Sequence, residues 1–445
     1  MLKHMSYPMK KRVLYWLQND LRLADNEILS ELADFAGELD LVFVIEPRWF
    51  RQTNYQQKPY GEHKYNFLLE SLSAFANAVE KLGQTLHVIT GEPEYVISQR
   101  LQKYNIETLV CTEQVGVYEQ KQLEKIKALC PQAAVKTYQQ DTLFKAADLP
   151  FQLDELPKNF TAFRKKVEAE PTFIAAPRPA VSRLPHPVQL CAEHNIADVV
   201  TQSANFKGGL FAAQQHCSAY FSSKAPSSYK ETRNELDGFS NSTKFSVWLA
   251  GGTISAKQLY NEVEKYEHQN GANESSYWIK FELLWREYFK WHALQAGAKL
   301  FLFKGQKQNA PLTTFNSQRF TAWCNGCTPF PLVNAIMHEL NTTGFISNRS
   351  RQIAASCLVN ELALDWRYGA AYFEQQLIDY DVAANWGNWQ YIAGVGVDPR
   401  GGRHFHINKQ TALYDPLSRY IRKWNGEQTT TTLFDSVDEV DWPSR

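Results

Sequence analysis

The sequence lacks the features that would place it in several large classes of protein. Its seven cysteines are odd in number and scattered, so they do not form the paired framework of a small secreted protein, and they indicate a reducing compartment. It has no run of about 18 or more apolar residues, as a membrane-spanning helix would need. The basic N-terminus is not followed by the apolar stretch of a signal peptide. We therefore predict a cytoplasmic protein that does not bind a membrane.

Metal and nucleotide motifs are also scarce. Cys324 and Cys327 form a lone CxxC pair with no second pair at zinc spacing, so we interpret them as packing residues and predict no metal site. No GxGxxG or P-loop motif follows a predicted strand, which argues against a nucleotide site of those types. Basic and acidic residues both number 47. A neutral total leaves a nucleic-acid partner open, because binding depends on a local basic face.

The first third of the chain alternates short apolar strands with amphipathic helices. The predicted strands are 13–17, 41–45, 85–89 and 108–111, and the predicted helices between them include 65–82 and 117–129. This alternation is typical of a doubly wound parallel sheet, which binds ligands beyond the carboxyl ends of its strands. We assign residues 1–145 to an α/β domain.

The pattern changes after that domain. Little periodicity and a group of prolines predict a connector over 146–205 that wraps the surface. The prolines are Pro171, Pro177, Pro179, Pro185 and Pro187. Residues 206–428 are almost entirely helical in pattern and predict an all-α second domain, and 429–445 predict a short polar tail. The predicted helices include 206–221, 256–267, 278–296 and 331–340.

The most informative stretch is 344–391, which is apolar enough to be buried yet rich in polar side chains. These are Asn348, Arg349, Arg351, Gln352, Asp379, Asp381 and Asn385. Buried charges and amides need partners, so the stretch favours either a ligand site or an internal ion pair. Its first half predicts a helix with Asn348 and Gln352 on one face, followed by a turn near Gly369.

Two other stretches combine charge with aromatic or hydroxyl side chains. Residues 241–246 (NSTKFS) precede an apolar helical run, 247–250, where hydroxyls and a cation suit either phosphate oxygens or an ordinary helix cap. Glu282 and Arg286 are four residues apart on a predicted helix beside Trp285. That spacing is also typical of a surface salt bridge.

Several long motifs resemble the photolyase/cryptochrome superfamily, and specifically its DASH branch. They include FELLWREYF, FTAWCNGCTPFPLVNAIMHELNTTGFISNRSRQ and LIDYDVAANWGNWQYIAGVGVDPR. The similarity extends from WLQNDLRLADN at residue 16 to about Trp424, and the NWGNW patch and Gln352 are the DASH-like features. The resemblance implies an N-terminal α/β domain, a helical domain that holds one FAD in a U-shaped form, and the activity of a deoxyribodipyrimidine photo-lyase.

The resemblance also implies which residues bind the cofactors. The positions that match flavin contacts are Tyr229, Ser242, Thr243, Lys244, Phe245, Ser246, Glu282, Arg286, Arg351, Asp379, Asp381 and Asn385. Arg351 and Asp379 match an ion pair beside the flavin ring, and Asn385 matches the residue that faces its reactive nitrogen. An antenna pigment, 5,10-methenyltetrahydrofolate, would lie between the domains with Glu119 as a contact.

The same family carries electrons to the flavin along a chain of three tryptophans. Trp389 and Trp366 match the proximal and middle members, whereas Thr313 stands at the distal position. The resemblance therefore predicts either weak photoreduction or an exit through another aromatic residue.

The implied substrate is DNA that carries a flipped-out pyrimidine dimer. The matching pocket residues are Glu282, Trp285, Asn348, Gln352 and Tyr391, with Arg349 and Arg400 as candidates for a basic rim. The (6-4)-repairing relatives carry a histidine where this chain has Asn348, so cyclobutane dimers are expected.

The resemblance leaves two functions open. One is blue-light-driven repair of cyclobutane pyrimidine dimers, preferentially in single-stranded DNA, by electron transfer from photoexcited reduced FAD, carried out by a monomer. The alternative is a blue-light photoreceptor that binds FAD and nucleic acid without significant repair.

Overall fold

The computed structural model describes residues 11–35, 37–169, 174–189, 206–307, 310–396 and 401–428. Parallel strands in the order β3-β2-β1-β4-β5 form the sheet of the N-terminal part, and β6 pairs with β2. The strands are β1 (Arg12–Leu17), β2 (Glu38–Ile45), β3 (Leu86–Thr90), β4 (Thr108–Thr112), β5 (Ala134–Tyr138) and β6 (His186–Pro187). The four predicted strands are present. The sequence analysis missed β5 because this edge strand, AVKTY, is mostly exposed and short of apolar residues.

Helices cover both faces of the sheet. They are α1 (Glu27–Leu32), α2 (Glu62–Glu80), α3 (Pro93–Lys103) and α4 (Val117–Leu129). Alternate residues of β1 enter two separate apolar clusters: Tyr15 packs in the cluster that includes α2, and Trp16 packs in the one that includes α3. A strand buried on both faces explains the continuous apolar runs. The doubly wound parallel sheet is confirmed.

The carboxyl edge of the sheet, between β1 and β4, is filled by the second part of the chain. Asp20 accepts hydrogen bonds from Tyr15 and from Thr112. Arg22 donates to the backbone oxygen of Gly252 at 3.1 Å. Gly252 has a φ of 66°, and a Cβ there would lie 1.8 Å from the backbone oxygen of Asn19. The crevice where such sheets usually bind ligands therefore holds a turn of the protein itself.

The connector is more structured than the sequence predicts. Helix α5 (Phe160–Ala169) lies within it, and its Phe160 and Phe163 are buried in an apolar cluster of the helical part. The expectation of a segment that only wraps the surface is therefore wrong for α5, whose apolar residues are spaced for one helical face. Cys191 and the rest of 190–205 lie outside the described residues.

The second part is helical, and its longest helix, α10, lies between two apolar clusters. The helices are α6 (Leu210–Phe221), α7 (Tyr229–Thr232), α8 (Ser246–Ala250), α9 (Ala256–Asn270), α10 (Glu274–Ala296), α11 (Ser317–Asn325), α12 (Pro331–Thr343), α13 (Asn348–Ser356), α14 (Trp366–Gln376), α15 (Val382–Ala393), α16 (Ile407–Tyr414) and α17 (Arg419–Lys423). Trp285 and Leu294 of α10 pack against both clusters. The all-α second part is confirmed.

One prediction for the stretch 344–391, the turn near Gly369, is wrong. Gly369 does not lie in a turn but inside α14, where a Cβ would come within 2.3 Å of the Trp389 ring. Helix α13 instead continues into a π-helical segment over Cys357–Glu361, and α14 begins after a short break, at Trp366. Glycine is required at 369 by close packing and not by its backbone freedom.

No helix in the described ranges is both long enough and apolar enough to cross a membrane. Among the described residues, no three His, Cys, Asp or Glu side chains form a group that could hold a metal ion. Cys324 is buried in the core, and Cys327 is partly exposed.

Candidate functional site

A cavity of about 510 Å³ lies within the helical part, in the size range of small-molecule sites. Most of the predicted site residues line it: Tyr229, Ser242, Thr243, Lys244, Phe245, Ser246, Glu282, Trp285, Arg286, Asn348, Arg351, Gln352, Asp379, Asp381, Asn385, Trp389 and Tyr391. Trp366, Glu119 and Arg349 do not line it. Residues that are far apart in sequence therefore meet around one space.

Two helices begin at the cavity and are capped by polar residues of the central stretch. The hydroxyl of Ser347 accepts from the backbone N–H of Ser350 at the start of α13. The carboxylate of Asp381 accepts from the backbone N–H of Ala384 at the start of α15, at 2.8 Å. Such caps satisfy orphan N–H groups at a helix start. They also hold the side chains of the first turns, including Asn348 and Asn385, at the cavity wall.

The expected ion pair between Arg351 and Asp379 is present. The Nη2 of Arg351 lies 2.8 and 3.0 Å from the two carboxylate oxygens of Asp379. The Nε of Arg351 donates to the backbone oxygen of Ile346. The Asp379 side chain is 1% exposed, and a carboxylate buried this deeply needs a close opposite charge, which Arg351 provides.

Glu282 and Arg286 do not pair with each other, so the surface salt bridge that their spacing allowed is not formed. Glu282 pairs with Arg233, at 2.7 Å between carboxylate and guanidinium. Arg286 pairs with Asp141 of the N-terminal part and lies 4.0 Å from Asp381. Both side chains point away from their helix toward partners that sequence spacing could not reveal.

Arg233 is a site residue that the sequence analysis missed. It lines the cavity, and its guanidinium lies 5.0 Å from the ring centre of Trp278. Burial raises the pKa of the Glu282 carboxyl, and the charge of Arg233 opposes that shift. The spacing of four from Tyr229, on a short helix, is the signal that could have found it.

The loop over 242–246 faces the cavity with hydroxyls and one cation. The hydroxyls of Ser242, Thr243 and Ser246 make no hydrogen bond with any described residue. Lys244 has a φ of 54°, and burial lowers its pKa. Because α8 has only five residues, these side chains and not a helix dipole would attract an anion.

Behind that loop, His216 holds its backbone. The Nε2 of His216 lies 2.8 Å from the backbone oxygen of Thr243, and its ring stacks on Trp248 at 4.7 Å. Burial lowers the pKa of His216. The neutral ring therefore supports the loop without adding a second cation beside Lys244.

A second end of the cavity combines aromatic rings with amides. Trp285 and Tyr391 meet edge to face with ring centroids 6.3 Å apart. The Oε1 of Gln352 is buried and has no hydrogen-bond partner among the described residues. A buried acceptor without a partner costs free energy, and Gln352 lines the cavity, where a donor from a bound molecule would satisfy it.

Asn385 and Trp389 lie on one helix at the cavity, whereas Trp366 lies behind them. The Nδ2 of Asn385 donates to the backbone oxygen of Ala370 at 3.0 Å, which leaves its amide oxygen for the cavity. The Nε1 of Trp366 donates to the backbone oxygen of Phe303. Its ring meets Trp386 at 5.8 Å. Trp366 is thus a core residue one layer from the cavity.

Glu119 lies apart from the cavity, at the start of α4 and close to the helical part. It is 3.9 Å from Arg48, whose guanidinium stacks 4.0 Å above the ring of Tyr118. Burial raises the pKa of Glu119. Burial lowers the pKa of the neighbouring Lys64 to about 8. Glu119 is therefore not an isolated glutamate on a surface helix.

Of the two arginines predicted for a basic rim, Arg349 is described and does not line the cavity. Arg349 donates to the side-chain oxygen of Asn234 at 3.2 Å, and its guanidinium lies 5.1 Å from the ring centre of Tyr414. Arg403, which the sequence analysis did not name, lies 4.9 Å above the ring of Tyr391. Arg400 lies outside the described residues.

Comparison with protein-family models gives two matches that together span most of the chain. The model for DNA photolyase matches residues 13–185. The model for the FAD binding domain of DNA photolyase matches residues 278–433.

Curated relatives match over nearly the whole length. The Cryptochrome DASH of Idiomarina loihiensis is 45% identical over 433 residues, covering 97% of this chain and 96% of that protein. The Cryptochrome DASH of Vibrio parahaemolyticus is 45% identical over 440 residues, covering 98% of each. Among solved structures, the cryptochrome of Synechocystis sp. PCC6803 matches with a TM-score of 0.89 and 36% identity, covering 99% of this chain and 95% of that one.

Proposed function

Because the chain belongs to the photolyase and cryptochrome family, in its DASH branch, we propose that it repairs cyclobutane pyrimidine dimers with blue light, preferentially in single-stranded DNA. FAD is the cofactor of the helical part. One observation carries the proposal: the residues that match flavin contacts and those that match lesion contacts line the same cavity. A flavin and a base held by these residues would share one space, as direct electron transfer between them requires.

The residues divide into two groups by their chemistry. Lys244, Arg286 and the hydroxyls of 242–246 suit phosphate oxygens, and the Arg351–Asp379 pair and Asn385 suit the polar edge of the flavin ring. When bound and reduced, FAD supplies the light-driven electron that splits a dimer and then takes it back. The protein holds the partners and excludes water.

The substrate end offers a stacking ring and polar groups for a base edge. An indole face suits a flipped base, and stacking is worth about 1–3 kcal/mol per base. Glu282 lines the same cavity as Trp285, so that its carboxyl is placed to hydrogen-bond the edge of a stacked base. Gln352 offers the unpaired acceptor that an imide N–H needs. These donors and acceptors support a pyrimidine pair as the ligand.

Single-stranded substrate follows from the cost of reaching the cavity. A base in a duplex must leave its stack, which costs a few kcal/mol, and single-stranded DNA avoids part of that cost. Gln352 and Tyr391 at the cavity have polar ends. They therefore provide less apolar contact area than wholly apolar side chains would, and less free energy to offset the cost of unstacking the base. We infer a monomer in a reducing cytoplasm as the working form.

The test uses purified, photoreduced protein and an oligonucleotide with one thymine dimer. Under blue light we expect recovery of thymine absorbance, faster for the single strand than for the same dimer in a duplex. A dark sample and an undamaged oligonucleotide are the controls. If no recovery occurs while the flavin is bound and reduced, repair is the wrong function and a photoreceptor that binds nucleic acid without repair replaces it.

We also propose 5,10-methenyltetrahydrofolate as an antenna near Glu119. The carboxyl lies in partly buried surroundings with Arg48 and the stacked rings of Trp49 and Tyr60, whose centroids are 4.4 Å apart. A flat, conjugated ligand with amide-type donors suits such a place. Addition of the folate should produce a new near-ultraviolet absorbance band, and Glu119→Ala should abolish it. A band of equal size in both proteins would place the pigment elsewhere.

A further inference from the structure

The ring of Phe160, at the start of α5, covers one face of Trp285. The two ring centroids are 3.8 Å apart, and the ring planes differ by 13°. Phe160 belongs to the segment between the two parts of the chain, whereas Trp285 belongs to α10. Close parallel stacking of this kind between distant segments restricts the plane of both rings.

Phe160 is itself held from behind. It is 5% exposed and meets Phe281 edge to face at 5.0 Å and Tyr288 at 6.1 Å. The hydroxyl of Tyr288 donates to the backbone oxygen of Pro157. The Phe160 ring is therefore packed against other rings of α10 as well as against Trp285.

The helix that carries Phe160 is also anchored at its outer side. Arg164 donates to the hydroxyl of Tyr277 at 2.7 Å, and that hydroxyl donates to Glu168. Both Arg164 and Glu168 lie on α5, and Tyr277 lies on α10. These bonds fix α5 along α10, so that the position of Phe160 follows from the docking of the whole helix.

Trp285 lines the cavity and is only partly buried, so its remaining neighbours leave part of the indole exposed there. Phe289 approaches with a centroid distance of 5.5 Å and an angle of 29°, an offset contact. Tyr391 meets the indole only by its edge. An indole held this way presents one surface whose orientation is set before any ligand arrives.

We propose that Phe160 is a positioning residue for Trp285, and that it makes α5 part of the substrate site. The inference rests on the proposed function, in which Trp285 stacks on a flipped-out pyrimidine. A ring that is already oriented loses less conformational freedom when the base binds, so affinity rises without a new contact to the ligand. Without Phe160 the indole would have to be ordered by the base itself.

The experiment compares three variants of the full-length, FAD-bound protein. F160L removes the stacked ring but keeps an apolar side chain, and F160Y keeps the ring. F163L is the matched control, since Phe163 is also buried on α5 but contacts Phe151 and Tyr288. The measurement is the dark dissociation constant for a single-stranded oligonucleotide with one thymine dimer, together with the flavin absorbance.

We expect F160L to bind the dimer about threefold to tenfold more weakly, in line with the energy of one aromatic pair. F160Y should bind as the wild type does. F163L should lower the melting temperature and leave the dissociation constant unchanged. Weaker binding by F160L together with unchanged binding by F163L is the outcome that a merely structural role of α5 would not produce.

Several outcomes would overturn the inference. If F160L binds as tightly as the wild type while Trp285→Ala binds weakly, Phe160 does not position the indole, and the proposed function stands. If F160L loses its flavin, Phe160 maintains the fold of the cavity as a whole and is not a positioning residue. If the wild type binds damaged and undamaged strands equally, the proposed function fails and takes this inference with it.

Discussion

Arg286 donates hydrogen bonds to both the backbone oxygen and the carboxylate of Asp141, at 2.8 and 2.5 Å. Asp141 belongs to the N-terminal part and Arg286 lines the cavity of the helical part. Lys290 contacts the same carboxylate at 2.6 Å. The cavity wall is therefore held in place from the other side of the molecule, and the first prediction concerns that link.

Asp141→Asn should destabilise the protein by roughly 2 kcal/mol at neutral pH. Burial alone would raise the pKa of Asp141, but Arg286 and Lys290 lower it from 3.8 to about 2, and each pKa unit corresponds to about 1.4 kcal/mol. A lowered pKa stabilises the folded state above pH 3.8, and this stabilisation is lost as the pH falls toward 2.

Urea unfolding of wild type and variant between pH 6 and 2 provides the measurement. The difference between the two free energies of unfolding should shrink as the pH falls from about 4 toward 2, since Asp141 of the folded wild type then takes up a proton and loses its charge. A difference that stays constant down to pH 2 would contradict the role given to this charge.

Trp285→Ala should weaken binding of a dimer-bearing strand about tenfold or more while FAD stays bound. The affinity of Trp285→Phe for the strand should lie between that of the wild type and that of Trp285→Ala, because phenylalanine keeps a smaller ring. Anisotropy of a labelled oligonucleotide gives the affinity, and flavin absorbance after gel filtration gives the cofactor content. Loss of the flavin in the alanine variant would remove Trp285 from the substrate side.

Arg351→Leu should cost more than Asp379→Asn, because it leaves a nearly fully buried carboxylate without its partner. Breaking a buried pair from one side costs about 3–5 kcal/mol, and part of this should appear as a lower FAD content. Asp379→Asn leaves a neutral amide that still accepts from Arg351. Melting temperatures of both single variants and the double variant test this, and simple additivity would mean that the two side chains do not interact.

Arg233→Leu should raise the pKa of Glu282 further, since the arginine charge is what opposes the effect of burial. The carboxyl would then stay protonated to higher pH than in the wild type. Infrared difference spectra of the protonated carboxyl band against pH provide the measurement, with Glu282→Gln to assign the band. An unchanged titration would show that another group neutralises Glu282.

Most of the architecture can be predicted from the hydrophobic patterns of the sequence. Buried strands of the sheet are continuous apolar runs, and α9, α10 and α12 repeat apolar residues at helical spacing. The missed strand β5 is mostly exposed at the edge of the sheet, where hydrophobicity gives no signal. The sequence analysis missed the buried helix α5 because the prolines that follow it indicated an irregular connector.

The sequence predicts which residues line the cavity, but it does not predict which of them form ion pairs with each other. Motif similarity names seventeen residues, from Tyr229 to Tyr391, that the structure brings together around one cavity. The motifs do not reveal that Glu282 forms an ion pair with Arg233 and that Arg286 forms one with Asp141. Those choices depend on how α7 and the 139–144 segment pack on α10, which local spacing does not encode. Phe160 escaped notice for the same reason.

The turn at Gly252 limits how freely the two parts can be exchanged between relatives. Its backbone fits against Asn19 with no room for a side chain, and its carbonyl receives Arg22. Consider a chimaera that joins this α/β part to a helical part with a larger residue at 252. Its new side chain would clash with the backbone of Asn19 and force the α/β part and the helical part apart at this contact. The halves are thus not interchangeable modules, because this contact between the two backbones leaves no room for a side chain at 252.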